Sequence, residues 1–408
     1  MDARAFESGI SVDQGMYCED LFQALFRNFP SDIFYIWTAS KKRPKNMFSF
    51  ALEKYPNAKE VHTPLSGAKI EFMMKNFGYP KIDDIAETQA MKKGILPWTG
   101  KFDAAIFLAP FTAPVEDNCL KVICINDFSE LHFPEYFSPL EQKLYTKSNY
   151  KREIFNSDVI VTPSLFVQED LVKTFGIEIE KTYVLGSGIL EQDSSGNDDV
   201  LKTEEEKIAE HEQEEKVHDA LPEKFFFARG IFSQLNNFPA LLKAFTLFQA
   251  RFGEKSWALV VEEEKSGDLE HAFVDYKNCI ALPPLSQKER IEVLEKAQAF
   301  LYPSFHDGVG KPILEAMRYG CPVLSSNYGA LPEIYEKVAL SFDPTKHLEI
   351  LKAMKRIYSE KEIRENLSQA GKEWSFDTKF LWDDIAERFM HLLQEKREDK
   401  DEALEEEG

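Results

Sequence analysis

Short apolar runs alternate with longer amphipathic segments along most of the chain. In the first half the runs are AAIFLAPF (104–111), KVICINDF (121–128), VIVTPS (159–164) and TYVLGSG (182–188). In the second half they are KFFFARG (224–230), SWALVVEE (256–263), AFLYPS (299–304) and CPVLSS (321–326). Runs of this length with few polar positions are typical of parallel strands that are buried on both faces.

The segments between these runs have the spacing of surface helices. They are SPLEQKLYTKSNYKREIFNS (138–157), FVQEDLVKTFG (166–176), PALLKAFTLFQARFG (239–253) and SQKERIEVLEKAQ (286–298). Strands that alternate with helices predict parallel sheets covered by helices. We therefore expect an α/β fold with two doubly wound Rossmann-like domains that face each other across a cleft. Ligands of such sheets bind beyond the carboxyl ends of the strands.

Length and composition agree with two globular domains. The chain has 408 residues, of which 43% are hydrophobic, and that length exceeds what one ordinary core holds. No apolar run reaches the roughly 20 residues that a membrane span needs, and the N-terminal stretch has no signal-peptide pattern. The five cysteines are scattered and form no CxxC pair, which favours reduced thiols in the cytoplasm and no metal site.

The net charge of −21 is concentrated in two places. Residues 191–219 carry a net charge of −9, and residues 395–408 carry −5. Segments of this composition bury too little apolar surface to fold, so we expect an acidic linker and a disordered tail. Nucleic acid is disfavoured as a partner, because binding to phosphate needs clustered Lys and Arg.

These breaks predict five segments. They are an N-terminal Rossmann-like domain (1–190), an acidic linker (191–222), a C-terminal Rossmann-like domain (223–373), a crossover helix (374–394) and an acidic tail (395–408). The stretch WSFDTKFLWDDIAERFMHLLQE has helical apolar spacing, and we expect it to pack on the first domain. A peripheral membrane helix is the alternative, although three acidic side chains within it would repel anionic headgroups.

Candidate chemistry is densest in PSFHDGVGKPILEAMRYGCPVLSSNYGALPEI (303–334). A strand delivers Asp307 to the sheet edge, and Gly308 and Gly310 let a ligand approach the main chain. A helix that starts beside Lys311 points its positive end at this turn and suits phosphate. Glu315, in the first turn of that helix, suits the hydroxyl pair of a ribose.

A second turn of the same kind, SNYGALPEI, places Gly329 before another helix. A molecule with sugar, diphosphate and ribose in series would use both turns. The alternative is purely structural, because a strand, a glycine turn and a helix occur in many proteins without a ligand. On that interpretation Glu315 only complements the helix dipole.

The string DGVGKPILEAMRYGCPVLSSNYGALPEI resembles the donor-site signature of retaining GT-B glycosyltransferases of the large group-1 family. In that family two glutamates flank seven residues within an EGFGLPxLEAM stretch. The resemblance extends to NDFSELHFPEYF (126–137), to VIVTPSLFVQEDLVKTFGI (159–177), to YVLGSGI (183–189) and to FARGIFSQLNNFPALLKAF (227–245). It implies the GT-B fold, with residues 1–190 as the acceptor-side domain and residues 223–373 as the nucleotide-sugar-binding domain. It also implies a nucleoside-diphosphate sugar as donor substrate, and no metal or other cofactor.

The resemblance implies roles for individual positions. Glu315 would bind the ribose hydroxyls, and Asp307, which replaces the first glutamate, would contact the donor sugar. The main-chain amides of Gly329, Ala330 and Leu331 would approach the diphosphate or the sugar. Asp127 would face the acceptor.

On the acceptor side the stretch Gln14 to Tyr17, with Gly15 at its centre, resembles a glycine loop. From the positions that match the family's motifs, the residues expected to be catalytic are Asp307, Asp127 and Asn126.

Some positions depart from the family pattern. Asn126 stands where the family has histidine, and Ile231 and Asn236 stand where it has the arginine and lysine that meet the diphosphate. Arg229 and Lys311 are the candidate substitutes for those cations. Alternatively, Arg229 pairs with a structural carboxylate.

Two further positions leave alternatives open. His306, next to Asp307, is either a side chain that lines the cleft or a base. Met1 to Arg4 resemble the end of the family's first strand, so we expect a shortened or misassigned start.

Two functions agree with the sequence. The first is a cytoplasmic transferase that moves a hexose from a nucleotide sugar to a glycan or lipid-linked acceptor with retention of configuration, in contact with a membrane at most peripherally. The second is a catalytically inactive GT-B scaffold that binds a glycan or a protein partner. Asp307 and Glu315 favour the transferase, whereas Asn126, Ile231 and Asn236 favour the scaffold.

Overall fold

The computed structural model describes residues 1, 12–39, 52–63, 81, 85, 102–108, 113–137, 139, 142, 150–189, 221–230, 235–252, 256–263 and 272–407. The chain divides into two compact units. The first unit comprises Met1–Leu190 together with Leu381–Gly408, and the second comprises Glu191–Phe380. The expected linker at 191–222 lies almost wholly outside the described residues.

The second unit contains a six-stranded parallel sheet. Its strands, numbered along the whole chain, are β7 (Lys224–Gly230), β8 (Trp257–Glu263), β9 (Cys279–Leu282), β10 (Ala299–Tyr302), β11 (Val323–Ser326) and β12 (Leu340–Phe342). The order across the sheet is β12-β11-β10-β7-β8-β9. The chain therefore starts in the middle, builds outward to one edge, and returns to build the other, which is a doubly wound arrangement. The order reverses between β7 and β10.

The helices of this unit cover the sheet. They are α5 (Phe238–Phe252), α6 (Gln287–Lys296), α7 (Lys311–Arg318), α8 (Leu331–Tyr335), α9 (His347–Ser359) and α10 (Lys361–Ser375). Strand β7 matches its predicted bounds because every residue after Lys224 is buried, so its apolar run has no exposed gap. Phe226, Phe248 and Trp257 pack together within the core between β7, β8 and α5.

The first unit contains two groups of parallel strands. A pair consists of β1 (Phe34–Ala39) and β2 (Ala58–Thr63), and a four-stranded sheet follows the order β3 (Ala104–Leu108), β4 (Leu120–Cys124), β5 (Val159–Thr162) and β6 (Thr182–Val184). Its helices are α1 (Val12–Asn28), α2 (Ser129–His132), α3 (Tyr150–Phe155), α4 (Leu165–Phe175) and α11 (Trp382–Glu407). Met1 accepts a main-chain hydrogen bond from Trp37 at 2.8 Å and donates one to Tyr35 at 2.9 Å.

The last helix corrects two sequence expectations. It begins at Trp382 rather than near 374, because residues up to Ser375 belong to α10 of the second unit. It also continues through the expected disordered tail to Glu407. Arg397 pairs with Asp103 at 2.7 Å, and Lys400 pairs with Asp158 at 2.7 Å, so the tail is tied to the first unit.

The body of α11 packs on the first unit through apolar and aromatic contacts. Trp382 is buried and meets Tyr17 edge-on, with ring centroids 5.0 Å apart. Asp383 accepts a hydrogen bond from Asn28 at 2.9 Å. Among the described helices, none has the length and apolar character of a membrane span.

Candidate functional site

The predicted donor residues gather where β7 and β10 end, at the point where the strand order of the second unit reverses. Arg229 is the penultimate residue of β7. Tyr302 ends β10, and the turn that contains Asp307 follows it and leads into α7. Because parallel strands end at one edge of the sheet, this is the edge at which doubly wound proteins bind ligands.

Asp307 organises its own turn. Its Oδ1 accepts hydrogen bonds from the amides of Val309 at 2.7 Å and Gly310 at 2.8 Å, and its Oδ2 accepts one from the hydroxyl of Tyr302 at 2.7 Å. An aspartate that bonds to amides two and three residues later is a common turn device. Both oxygens are therefore engaged within the second unit, and the expected contact with the donor sugar stays a prediction.

The two glycine turns contact each other. The amide of Ala330 donates to the carbonyl of Asp307 at 2.9 Å, so that amide already has a partner inside the second unit. Ala330 and Leu331 are buried. Gly310 has φ +68°, and a β-carbon there would lie 2.7 Å from Cγ1 of Ile334. The room left by this glycine is thus filled by a protein side chain.

Behind the turn lies a buried cluster of two arginines and two glutamates that spans several elements. Arg290, on α6, donates from Nε to Glu262 Oε2 at 2.9 Å and from Nη2 to Glu262 Oε1 at 2.8 Å. The same Nη2 donates to the carbonyl of Leu285 at 2.8 Å. Glu262, near the end of β8, is 1% exposed and accepts a further bond from the Leu285 amide at 3.2 Å.

The cluster closes on Glu315. Arg229 Nη1 lies 3.3 Å from Glu315 Oε2, and Arg290 Nη1 lies 3.4 Å from Glu315 Oε1. Arg229 Nε lies 3.5 Å from Glu262 Oε2, which links all four side chains. Burial lowers the pKa of the Arg290 guanidinium, but the hydrogen bonds to Glu262 and the charge of Glu315 outweigh it and raise that pKa above its ordinary value. The cluster is electrically balanced, as buried charges require.

The pairing of Arg229 agrees with the alternative we left open at the sequence level, in which it meets a carboxylate. That carboxylate is Glu315, the residue expected to bind ribose. The alternative for Arg229 and the ribose role expected for Glu315 therefore involve the same pair of side chains. Glu315 retains 13% of its side-chain surface, so it is reachable from solvent.

Asn237 fixes the loop beside the cluster. Its Nδ2 donates to the carbonyls of Pro303 at 3.2 Å and Pro344 at 2.8 Å, and its backbone has φ +58°. Asparagine is among the few residues that tolerate this conformation. The neighbouring Asn236 places its side chain against Gly230, where β7 ends.

The remaining predicted residues of the second unit lie at the same edge. Lys311 is the first residue of α7, and Gly308 is buried in the turn before it. His306 is 8% exposed, so it is a buried neighbour of the turn. Ile231 lies outside the described residues.

The candidates in the first unit follow strand β4. Asp127 Oδ1 accepts hydrogen bonds from the amide of Ser129 at 2.9 Å and from its hydroxyl at 2.8 Å. Asn126 is 3% exposed, and within the part of the chain that the structure describes no group accepts a hydrogen bond from its Nδ2. Strand β4 ends at Cys124, earlier than predicted, so both residues lie in the loop beyond its carboxyl end.

The expected acceptor-side glycine loop is wrong. Gly15 and Tyr17 lie inside helix α1. Tyr17 is 1% exposed, and its hydroxyl donates to the carbonyl of Gly186 at 2.8 Å, which makes it a core residue of the first unit. A helix with glycine at position 15 is tolerated at a cost of about 1 kcal/mol relative to alanine.

Sequence reasoning missed Glu262 and Arg290. Glu262 carried a signal, because it is a charged residue near the end of the buried strand SWALVVEE, at the ligand edge of the sheet. Arg290 carried none, since an arginine in a helix with many charged residues is typical of a solvated position.

Comparison with known proteins supports a family. Residues 207–374 match the family model described as glycosyl transferases group 1. The serotype-specific mannosyltransferase WbdA of Escherichia coli is 26% identical over 201 residues, which is 47% of this chain and 24% of WbdA. The O-antigen chain mannosyltransferase RfbU of Salmonella typhimurium is 23% identical over 243 residues, with 58% of this chain and 60% of RfbU covered. The chain thus spans about a quarter of the length of WbdA.

Solved structures share the fold at low sequence identity. A glycosyltransferase from Rickettsia africae aligns with a TM-score of 0.67 at 12% identity over 97% of both chains. WaaG, a glycosyltransferase involved in lipopolysaccharide biosynthesis, aligns with a TM-score of 0.60 at 11% identity over 92% of this chain and 95% of WaaG. The predicted fold class is confirmed: the chain has the GT-B fold of these solved structures, and its residues 207–374 match the group-1 glycosyltransferase family model.

Proposed function

We propose that the protein transfers a hexose from a nucleoside-diphosphate sugar to a glycan or lipid-linked acceptor, with retention of the anomeric configuration. The observation that carries this proposal is the placement of Glu315 at the carboxyl edge of the sheet, partly exposed and flanked by two guanidinium groups. The mannosyltransferase relatives favour mannose as the hexose.

A carboxylate at this place suits the ribose of the donor. An ionised carboxylate has about four acceptor sites on its two oxygens. Two sites of Glu315 face Nη1 of Arg229 and Nη1 of Arg290, and the others suit two ribose hydroxyls. Hydrogen bonds to a charged group are worth about 1.5–3 kcal/mol each, which is enough to orient a nucleoside.

The diphosphate needs cations, and two are placed at the same edge. Arg229 lies 3.3 and 3.5 Å from its two carboxylates, longer than the usual 2.7–2.9 Å of charge-assisted hydrogen bonds. These contacts are also longer than those of Arg290 to Glu262. Arg229 thus supplies a guanidinium at the edge where we propose that the diphosphate binds, while its Nη1 stays on Glu315. Lys311, at the start of α7, adds a second positive charge beside the amides of the first helical turn.

In the transfer step the bond between the anomeric carbon and the diphosphate oxygen breaks. The acceptor oxygen bonds to that carbon on the same face, and its proton passes to the leaving phosphate. The protein's part is to hold the diphosphate and the ribose still and to stabilise the charge that develops on the leaving group. Asp127 and Asn126, in the first unit, are the candidates for orienting the acceptor.

A non-catalytic scaffold is the second candidate function. It is favoured by Asp307, because both of its oxygens are used inside the turn. It is also favoured by Asn126, which cannot act as the histidine of the family pattern does.

Product formation separates these functions. Purified protein would be incubated with GDP-mannose or UDP-glucose, together with candidate acceptors, and free GDP or UDP would be measured. We expect release of one nucleoside diphosphate, and a loss of at least about 100-fold in Arg229→Ala combined with Lys311→Ala, since two charge-assisted contacts disappear. Arg356→Ala and Lys361→Ala, at exposed positions of the same unit, are the controls. Unchanged affinity and turnover in the double variant would refute the assigned cations.

A further inference from the structure

We propose that Arg290, held rigid by Glu262, is a positioning residue that sets the plane of the Glu315 carboxylate for recognition of the donor ribose. The inference rests on the proposed function, because it assigns how the ribose site is built. It adds Arg290 and Glu262 to a site for which the sequence motif supplies only Glu315.

The guanidinium of Arg290 is fixed in position by its surroundings. It makes close contacts with both oxygens of Glu262 and with the carbonyl of Leu285, all between 2.8 and 3.1 Å. Arg290 is 15% exposed at its side chain, and Glu262 is 1% exposed. A side chain with several bonds and little solvent has few alternative rotamers, so its remaining nitrogen is held at one place.

The start of helix α6 is anchored to the same glutamate. The amide of Leu285 donates to Glu262 Oε1 at 3.2 Å. Ser286 and Glu289 then form a reciprocal capping box, in which the Ser286 amide donates to Glu289 Oε2 at 2.6 Å. One buried carboxylate, Glu262, thus joins strand β8 to helix α6, and its bonds to Arg290 fix that side chain relative to both elements.

Glu315 receives one guanidinium on each oxygen. Arg290 Nη1 faces Oε1 at 3.4 Å, and Arg229 Nη1 faces Oε2 at 3.3 Å. Two donors on two oxygens define the rotation of the carboxylate about its last bond, which is otherwise a broad and soft torsion. The other lone pair on each oxygen then has a fixed direction, and a vicinal diol needs two such acceptors at once.

The fork shape of arginine matters for this role. Lysine keeps the charge but presents a point-like ammonium, which cannot reach Glu262, Leu285 and Glu315 together. A charge-preserving substitution is therefore expected to lose the positioning effect while the charge near the site stays the same.

The test compares ligands that differ only at the ribose. Binding of UDP, GDP and their 2′,3′-dideoxy analogues would be measured by calorimetry for the original protein, Arg290→Lys, Arg290→Gln and Glu262→Gln. We expect the original protein to prefer the ribonucleotide by about 10- to 100-fold. In the three variants this preference should fall to about 3-fold or less, while affinity for inorganic pyrophosphate changes by less than about 3-fold.

Arg318→Gln is the matched control, because Arg318 lies on the same helix as Glu315 but donates to Ser375 and packs on Phe376. It should keep the ribose preference whatever it does to stability. Circular dichroism would show which variants fold. If Arg290→Gln does not fold, Glu262→Gln or Arg290→Lys provides the test.

Different failures have different meanings. If the original protein binds neither UDP nor GDP, the proposed function falls and the inference falls with it. If it binds and prefers ribose, but the variants weaken ribonucleotide and dideoxynucleotide by the same factor or keep the full preference, Arg290 is only structural and the inference alone is overturned.

Discussion

A β-carbon at Gly329 would lie 2.7 Å from the carbonyl oxygen of Asp307 and 3.0 Å from its nitrogen. The two glycine turns of the donor motif are therefore in backbone contact, and glycine at 329 is needed for that contact. The hydrogen bond from the next amide, Ala330, to the same carbonyl holds the turns together. Glycine is required here for packing between turns as well as for its φ of +66°.

Replacement of Gly329 by alanine should destabilise the second unit by about 2–5 kcal/mol, the sum of left-handed strain and the clash with Asp307. Gly176→Ala, in the first unit, is the control for left-handed strain alone, since Gly176 has φ +70° and a β-carbon there would meet no described atom within 4 Å outside its own chain neighbours. It should therefore lose only about 1–2 kcal/mol. Chemical denaturation measures both variants. Equal losses would contradict the close approach of the two turns.

Replacement of Asp307 by alanine removes three accepted hydrogen bonds at once. At about 1 kcal/mol each, the second unit should lose about 3 kcal/mol of unfolding free energy. Asp307→Asn should lose less, because the remaining amide oxygen still accepts from Val309 and Gly310. The same denaturation experiment measures both variants, and an alanine variant as stable as the original would show that the turn does not depend on this side chain.

Removal of one partner from the buried cluster should be costly. Glu262→Ala leaves Arg290 buried without its main partner, and the expected loss is about 3–5 kcal/mol of unfolding free energy. The double replacement Glu262→Leu with Arg290→Met removes both charges and should cost less than the single one. Strictly additive effects in this double-mutant cycle would contradict the direct contact between the two side chains.

The last turns of α11 should be helical but only weakly stabilised by their ion pairs. Arg397→Ala and Lys400→Ala should each change the unfolding free energy by less than about 1 kcal/mol, because these pairs are at the surface. Hydrogen exchange should still show protection of amides beyond residue 395. If these amides instead exchange as fast as those of an unfolded peptide, the tail is disordered and the helix does not extend to Glu407.

Asp343, in the second unit, has a clear pH signature. Hydrogen bonds from Lys346, and then from Thr345, lower the pKa of Asp343 to about 2 from an ordinary value of 3.8. A lowered pKa stabilises the fold above the unfolded-state value, and that contribution disappears as the pH falls from about 3.8 through 2. The melting temperature of the original protein should exceed that of Asp343→Asn at pH 6, with the gap closing below pH 4. A gap that is constant with pH would contradict this.

The sequence predicted the sheets better than the ends of the elements. Strand β7 was located to the residue because its buried run KFFFARG ends at a glycine with φ +147°. The tail was misjudged because composition does not show that Arg397 and Lys400 meet Asp103 and Asp158, which are hundreds of positions earlier. Gly15 was misjudged because a glycine suggests a turn even where tertiary packing holds a helix.

The candidate site was predicted in part for a similar reason. The spacing of Asp307 and Glu315 marks a local motif of turn and helix, and local motifs are visible in a sequence. The bonds between Arg290 and Glu262 join a helix to a strand across 28 positions, and no local pattern indicates them. Glu262 also lies 3.5 Å from Nε of Arg229, so its pairing with Arg290 affects the charge around Arg229. The electrostatics of the site therefore could not be worked out from the motif alone.

The central claim is that Glu315, flanked by Arg229 and Arg290, recognises the nucleoside part of a donor. Calorimetric titration of UDP and GDP into the original protein and into Glu315→Gln tests it most directly, with Glu336→Gln, an exposed position paired with Lys379, as control. We predict that the original protein and the control bind at least one nucleotide, and that Glu315→Gln binds it about 10- to 100-fold more weakly while its affinity for inorganic pyrophosphate is kept or increased. Absence of binding to both nucleotides, or equal affinity in Glu315→Gln, would contradict the account.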